Sequence, residues 1–235
     1  MTRIGIANWA YTCDGAPPFE SVLDRLSSLG YSVIELLGAP GRHHPDEVPL
    51  GRARQELRRQ LDSRGLGSPL YCPRLGKFPP ATSGEENLRG YLELFEKNLQ
   101  FCCDLGIPMI RVDTCVDPRP MSPSEHAAAI QNLIQTWRAS AELADRAGVI
   151  MAGEFEPGFL FNKPGEILAI VEGVDHPRFR ILFDTCHAHM SLVMGGRQPG
   201  AREVFPGGSA AFVRRVSRHI GYVHLSDSDG TLHNE

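Results

Sequence analysis

Short apolar runs alternate along this chain with longer stretches in which apolar residues recur every three or four positions. The runs Arg3–Trp9, Val33–Leu37, Leu66–Cys72, Pro108–Thr114, Val149–Glu156, Arg180–Asp184 and Ile220–Ser226 have strand length. Between them lie amphipathic helices with readable ends. Pro17 and Pro18 open the first, and its face of Val22, Leu26 and Leu29 stops at Gly30. In the second, Leu50, Ala53, Leu57 and Leu61 keep helical spacing, which predicts that Arg52, Arg54, Arg58, Arg59 and Arg64 coat a solvated face. The third carries Leu88, Leu92, Phe95, Leu99 and Cys102 and ends near Gly106. The fourth starts at Ser122-Pro123-Ser124-Glu125, a capping box, and its stripe of Ile130, Ile134, Trp137, Ala141 and Ala144 runs to Gly148.

Strands that each alternate with a helix predict a parallel sheet with right-handed crossovers, either doubly wound or closed into a barrel. No G-x-G-x-x-G follows the first strand, so the strongest sign of a dinucleotide fold is missing. Polar residues collect instead at the carboxyl ends of the strands: Asn8, Trp9, Glu35, Tyr71, Asp113, Glu154, Glu156, Asp184 and His224. Functional groups drawn from so many strands point to the mouth of a barrel. The prediction is an α/β protein, a (β/α)8 TIM barrel in one domain over residues 1–235. Seven strands are readable, so the barrel reads as truncated after the seventh, with the eighth β/α unit not present in the sequence.

Composition narrows the function. Of 235 residues 42% are hydrophobic and 22% charged, which excludes a disordered chain. No apolar run reaches the roughly 18 residues of a membrane span, and Met1-Thr2-Arg3-Ile4-Gly5-Ile6 has no signal-peptide pattern. A cytoplasmic protein without a membrane or nucleic-acid partner is expected, the latter because the net charge is −4. Six cysteines, Cys13, Cys72, Cys102, Cys103, Cys115 and Cys186, show no C-x-x-C pairing and read as reduced, mostly buried thiols. Oligomeric state stays open, a homo-oligomer included.

The last three strands carry the chemistry. Val149–Glu154 ends an apolar run in a carboxylate, and strand parity places Ile150, Ala152, Glu154 and Glu156 on one face. Ile181–Asp184 ends likewise, with His187 three residues on, and Tyr222-Val223-His224 ends in an imidazole. Glu, Asp and His at matching heights of neighbouring strands form a cation site. Such ligands suit one Mn2+, Mg2+, Co2+ or catalytic Zn2+ ion better than a closed structural zinc.

In strand order, and most sharply at Gly148–Gly158, Phe183-Asp184-Thr185-Cys186-His187 and Val223-His224-Leu225-Ser226-Asp227-Ser228, the chain resembles the xylose isomerase-like barrels. That family groups sugar isomerases and epimerases with endonuclease IV-type phosphodiesterases. The resemblance implies Glu154, Asp184 and His224 as metal ligands, with a further glutamate on an eighth strand beyond Glu235. It also implies a sugar or sugar phosphate substrate, whose carbonyl and hydroxyl oxygens the metal chelates while Glu154 removes the adjacent proton through an enediolate. His187, Glu35, Glu156 and Trp9 are candidate substrate contacts. For Trp9, rim packing is the competing reading, and for Glu35 a rim salt bridge.

Two alternatives stand beside this. An endonuclease IV-like phosphodiesterase needs histidines at earlier strand ends, where this chain has Tyr71-Cys72 and Asp113-Thr114. A barrel that binds sugar without turnover is the other. His43 and His44 read as solvated loop histidines on the catalytic side, and His126, His176 and His219 as structural. Ala188–Gly208 reads as a long loop without periodicity, a candidate lid.

Overall fold

A computed structural model of the chain describes residues 3–11, 15–39 and 41–227. Cys13, Ser228 and the closing His233-Asn234-Glu235 lie outside the described residues. By internal contacts the chain divides into two compact units. One is Met1–Arg74 with Glu96–Arg111 and Arg146–Val149; the other is Leu75–Phe95 with Val112–Asp145 and Ile150–Glu235.

The first unit holds β1 (Ile6–Ala7), α1 (Phe19–Ser28), β2 (Ile34–Gly38), α2 (Arg52–Asp62), β3 (Tyr71–Pro73) and most of β4 (Met109–Val112). Its strands pair in parallel, Ile6 with Ile34, Leu36 with Tyr71 and Tyr71 with Ile110. Two strands are shorter than their apolar runs. After Ala7 the chain turns into a 3-10 helix, Asn8–Tyr11, and the Asn8 side chain accepts the Leu37 N–H at 2.8 Å. That bond satisfies a donor of β2 without further strand. In the third run, Val33 bridges Gly67, but Pro69 has no N–H to continue a ladder, so β3 begins only at Tyr71.

Burial corrects two helix readings. The buried face of α1 is Val22, Leu23 and Leu26, whereas Leu29 caps the helix and is exposed. Leu50 is exposed too, because Gly51, at φ +92, turns the chain before α2 starts. Nor do all the arginines of α2 face solvent. Arg54 is only 7% exposed. Its guanidinium donates to the Val48 carbonyl, pairs with Asp104 and lies 5.0 Å from the centre of the Phe101 ring. A residue on the helix's own apolar side reached an acid contributed by α3.

The second unit contains α4 (Pro123–Ala147) except its last two residues, β5 (Ile150–Glu154), α5 (Pro164–Val174), β6 (Phe179–Asp184), α6 (Thr185–His189), α7 (Gly208–Val216) and β7 (Ile220–His224); α3 (Glu85–Leu105) contributes residues to both units. β5, β6 and β7 pair in parallel, Glu154 opposite Leu182 and Asp184 opposite His224. The capping box forms as read: Glu125 accepts the Ser122 N–H at 2.8 Å and the Ser122 hydroxyl accepts the Glu125 N–H at 3.3 Å. Trp137 is fully buried against Phe155 and Phe179. Gly153 is required beside it, since a Cβ there would stand 2.8 Å from the Phe179 ring.

The segment Ala188–Gly208 is not one irregular loop. α6 passes directly into a single π-helical turn, Met190–Met194, with Met190, Ser191 and Leu192 buried. Two five-residue elements are too short to show a period in sequence. The irregular remainder is pinned: the Phe205 N–H donates to the Leu192 carbonyl at 2.8 Å, and the Gln198 amide donates to the Ser191 carbonyl at 3.0 Å.

Candidate metal centre

The carboxyl ends of β5, β6 and β7 bring three side chains together. Ligand atoms of Glu154, Asp184 and His224 all lie within 4.8 Å of one another. His224 Nδ1 is 3.2 Å from Glu154 Oε1 and 3.8 Å from Asp184 Oδ2. Pairing of Asp184 with His224 across the β6–β7 ladder sets them at one height. Glu154 and Asp184 are 4% and 7% exposed.

His187 and Glu156 join this cluster. The His187 ring bridges two carboxylates, with Nδ1 3.5 Å from Glu154 and Nε2 3.3 Å from Glu156. Burial pushes the His187 pKa down, but the close approach of Glu154 and the charges of Glu154, Asp184 and Glu156 outweigh it and hold the imidazole above its ordinary value. Asp184 also caps α6, its Oδ1 accepting the His187 N–H at 2.9 Å. One carboxylate thus ends β6, starts α6 and places His187.

Ser226 and Thr185, which strand-end chemistry does not single out, support the cluster from behind. The Ser226 hydroxyl lies 2.7 and 2.8 Å from the two Asp184 oxygens, a shared donation that fixes the carboxylate plane. The Thr185 hydroxyl donates to the Ser226 carbonyl and accepts the Ser226 N–H at 3.0 Å, which clips the two strand ends together. The only signal for this in sequence was a hydroxyl residue just beyond each of two strand ends.

Two buried carboxylates and an imidazole, converging and oriented from behind, match the donor set of a divalent cation in a mixed oxygen and nitrogen site. The residues present fit such an ion.

Glu35 and Trp9 belong to the first unit. Glu35 is buried at the second residue of β2 and accepts a hydrogen bond from the Cys72 thiol at 3.0 Å. Trp9 is 42% exposed, with the buried Arg111 guanidinium 5.4 Å from its ring centre. Arg111 escaped the sequence reading because it is one cation inside the apolar run of β4. His43 is not a solvated loop residue: it meets Phe19 edge to face, and burial, reinforced by Arg42 and opposed by Glu47, lowers its pKa to about 4. The Tyr71 hydroxyl is committed to the His43 carbonyl and to Asn98. Asp113 accepts both the N–H and the thiol of Cys115. No disulfide joins Cys72, Cys102, Cys103, Cys115 or Cys186; Cys103 is exposed. Among the described residues no helix is long and apolar enough to cross a membrane.

Solved structures share this architecture at low identity. A D-tagatose 3-epimerase-like protein is 17% identical with a TM-score of 0.73, over 97% of this chain and 78% of that one. A 3-keto-D-glucoside 4-epimerase from E. coli is 17% identical with a TM-score of 0.71, over 99% and 84%. A probable 3-DHS dehydratase from Bacillus anthracis is 16% identical with a TM-score of 0.70, over 95% and 72%. At these identities the likeness establishes the fold, and one fold serves more than one reaction. The family model described as xylose isomerase-like TIM barrel matches residues 23–235, and the chain belongs to that family.

Proposed function

We propose that this protein is a cytoplasmic, divalent-metal-dependent sugar isomerase or epimerase that removes a proton from the carbon next to a carbonyl. The observation that carries the reading is the convergence of Glu154, Asp184 and His224 at the ends of three consecutive parallel strands. The names of two structural neighbours, a D-tagatose 3-epimerase-like protein and a 3-keto-D-glucoside 4-epimerase, support the substrate class.

In this reading Glu154, Asp184 and His224 hold one Mn2+, Mg2+, Co2+ or Zn2+ ion. Bound there, the ion supplies Lewis-acid polarisation of a substrate carbonyl oxygen. Glu154 is the carboxylate that accepts the proton, at its Oε atoms, and it is oriented for this by His187 and His224. His187 and Glu156 act as a buried pair that hydrogen-bonds substrate oxygens and keeps bulk water from the reacting carbon. Among the described residues a single group of three candidate ligands is found, which favours one ion over a trinuclear nuclease centre.

The test is exchange with solvent. Incubated with Mn2+ and a ketohexose panel in D2O, the protein is expected to incorporate deuterium at one sugar carbon. Glu154→Gln is expected to lower the exchange rate at least a hundredfold, as loss of a proton-transfer group does. Cleavage of a nitrophenyl phosphodiester without sugar exchange would overturn this reading in favour of the phosphodiesterase. Sugar binding without exchange would leave a binding protein.

A further inference from the structure

A second concentration of charge lies at the other end of β6. Arg180 is the second residue of that strand and Asp184 the last, so the two are four residues, roughly 13 Å, apart along it. Beside Arg180 lies a half-open cavity of about 310 Å3, with Pro177 and Phe179 on its apolar wall and Arg180, Arg218 and His219 as donors. Asp175 is the acid in its lining.

The arginines here differ from those around them. Arg178 pairs with Asp145, and Arg215 pairs with Glu172. Arg180 instead donates to the carbonyl of Phe179 at 2.9 Å, and Arg218 donates its Nε–H to His219 Nε2 at 3.0 Å. Among the described residues neither meets a carboxylate within ion-pair distance. An imidazole that accepts from a guanidinium adds no negative charge, so Asp175 is the acid that the cavity lining sets against two guanidiniums. His219 registers the result: its pKa is lowered by burial and by the charges of Arg218, Arg180 and Arg215, with Asp175 opposing. Gly221 on β7 makes the arrangement possible, since a Cβ there would stand 2.6 Å from the Cβ of Arg180. Only a glycine lets the Arg180 stem lie along β7 toward the cavity.

We propose that this cavity is an anion site for the phosphoryl group of a small phosphorylated metabolite, separate from the metal centre. Two guanidiniums against the single Asp175 carboxylate match a tetrahedral dianion, whose several acceptor oxygens suit planar forks of N–H donors. The apolar wall of Pro177 and Phe179 meets the carbon skeleton. The site stands independently of the reaction proposed above, because none of its residues belongs to the metal cluster.

Titration of the full chain at constant ionic strength, read by histidine ring NMR signals, tests this. Glucose 6-phosphate, inorganic phosphate and glucose are the probes. Glucose 6-phosphate is expected to shift the His219 signals saturably, and glucose to leave them unmoved. If inorganic phosphate binds as tightly as glucose 6-phosphate, the phosphoryl group alone is recognised and the site stands. Arg218→Gln, at an exposed position, is expected to weaken binding at least tenfold, and Arg180→Gln with it further. Asp184→Asn is expected to leave the affinity unchanged. Absence of a saturable shift, equal affinity in the Arg218→Gln protein, or loss of binding in Asp184→Asn would each overturn the assignment.

Discussion

His43 and Arg54 are polar side chains taken largely out of water, and their surroundings set different consequences. His43 resists protonation in the folded chain until about pH 4, whereas an unfolded chain takes up that proton near pH 6.5. Between these values the unfolded state binds more protons, so stability rises with pH across the window and is lost as pH falls through it. At full extent that loss is about 3 kcal/mol. Urea unfolding at pH 7.5 and pH 4.5 checks it: His43→Gln is expected to shrink the difference by about 2 kcal/mol. An unchanged difference would remove His43 as its source. Arg54 instead finds Asp104, Val48 and an aromatic face. Neither outcome is legible from residue type, because burial of a loop histidine or a helix arginine depends on partners distant in sequence. Glu154, Asp184 and His224 were legible, since each closes an apolar run and strand alternation fixes its side.

Elements record local chemistry wherever the bonds that end them are local. The Ser122–Glu125 box begins α4 as its spacing predicts, and Ser122→Ala is expected to lower stability by about 1 kcal/mol, measurable by denaturant unfolding. Strand ends behave otherwise. β1 stops early because Asn8 reaches Leu37, a residue of β2, and that partner cannot be seen within residues 3–9. β5 illustrates a third case, in which packing behind an element governs the site in front of it. Gly153→Ala would drive a methyl group into Phe179 and Trp137. The expected cost is about 1–3 kcal/mol of stability, as for other overpacked positions. Because Glu154 is the next residue, Mn2+ affinity measured by calorimetry is expected to fall as well. A destabilised protein with unaltered Mn2+ affinity would show that Glu154 is held by its ring partners rather than by its strand.

At the scale of the whole molecule, the proposed ligands all belong to one of the two compact units. A cation bound only by the folded state raises stability by about 2.7 kcal/mol at a hundred times its Kd. Thermal unfolding with Mn2+ is therefore expected to show a raised Tm that a chelator reverses and that Asp184→Asn abolishes; an equal rise in Asp184→Asn would place the ion elsewhere. The β/α order, the parallel class of sheet and the three residues whose ligand atoms converge can all be read along the chain. These follow from periodicity and from polar residues closing apolar runs, both properties of neighbouring positions. Long-range packing alone brings Ser226 and the cap of α6 to Asp184 from two sides, and sets His187 between two carboxylates. The same packing takes Arg54 and His43 out of water and gathers Arg180 and Arg218 round one cavity. Each of these depends on which distant side chain arrives at a given place, and hydrogen bonds, desolvation and charge act on that distance rather than on separation along the chain.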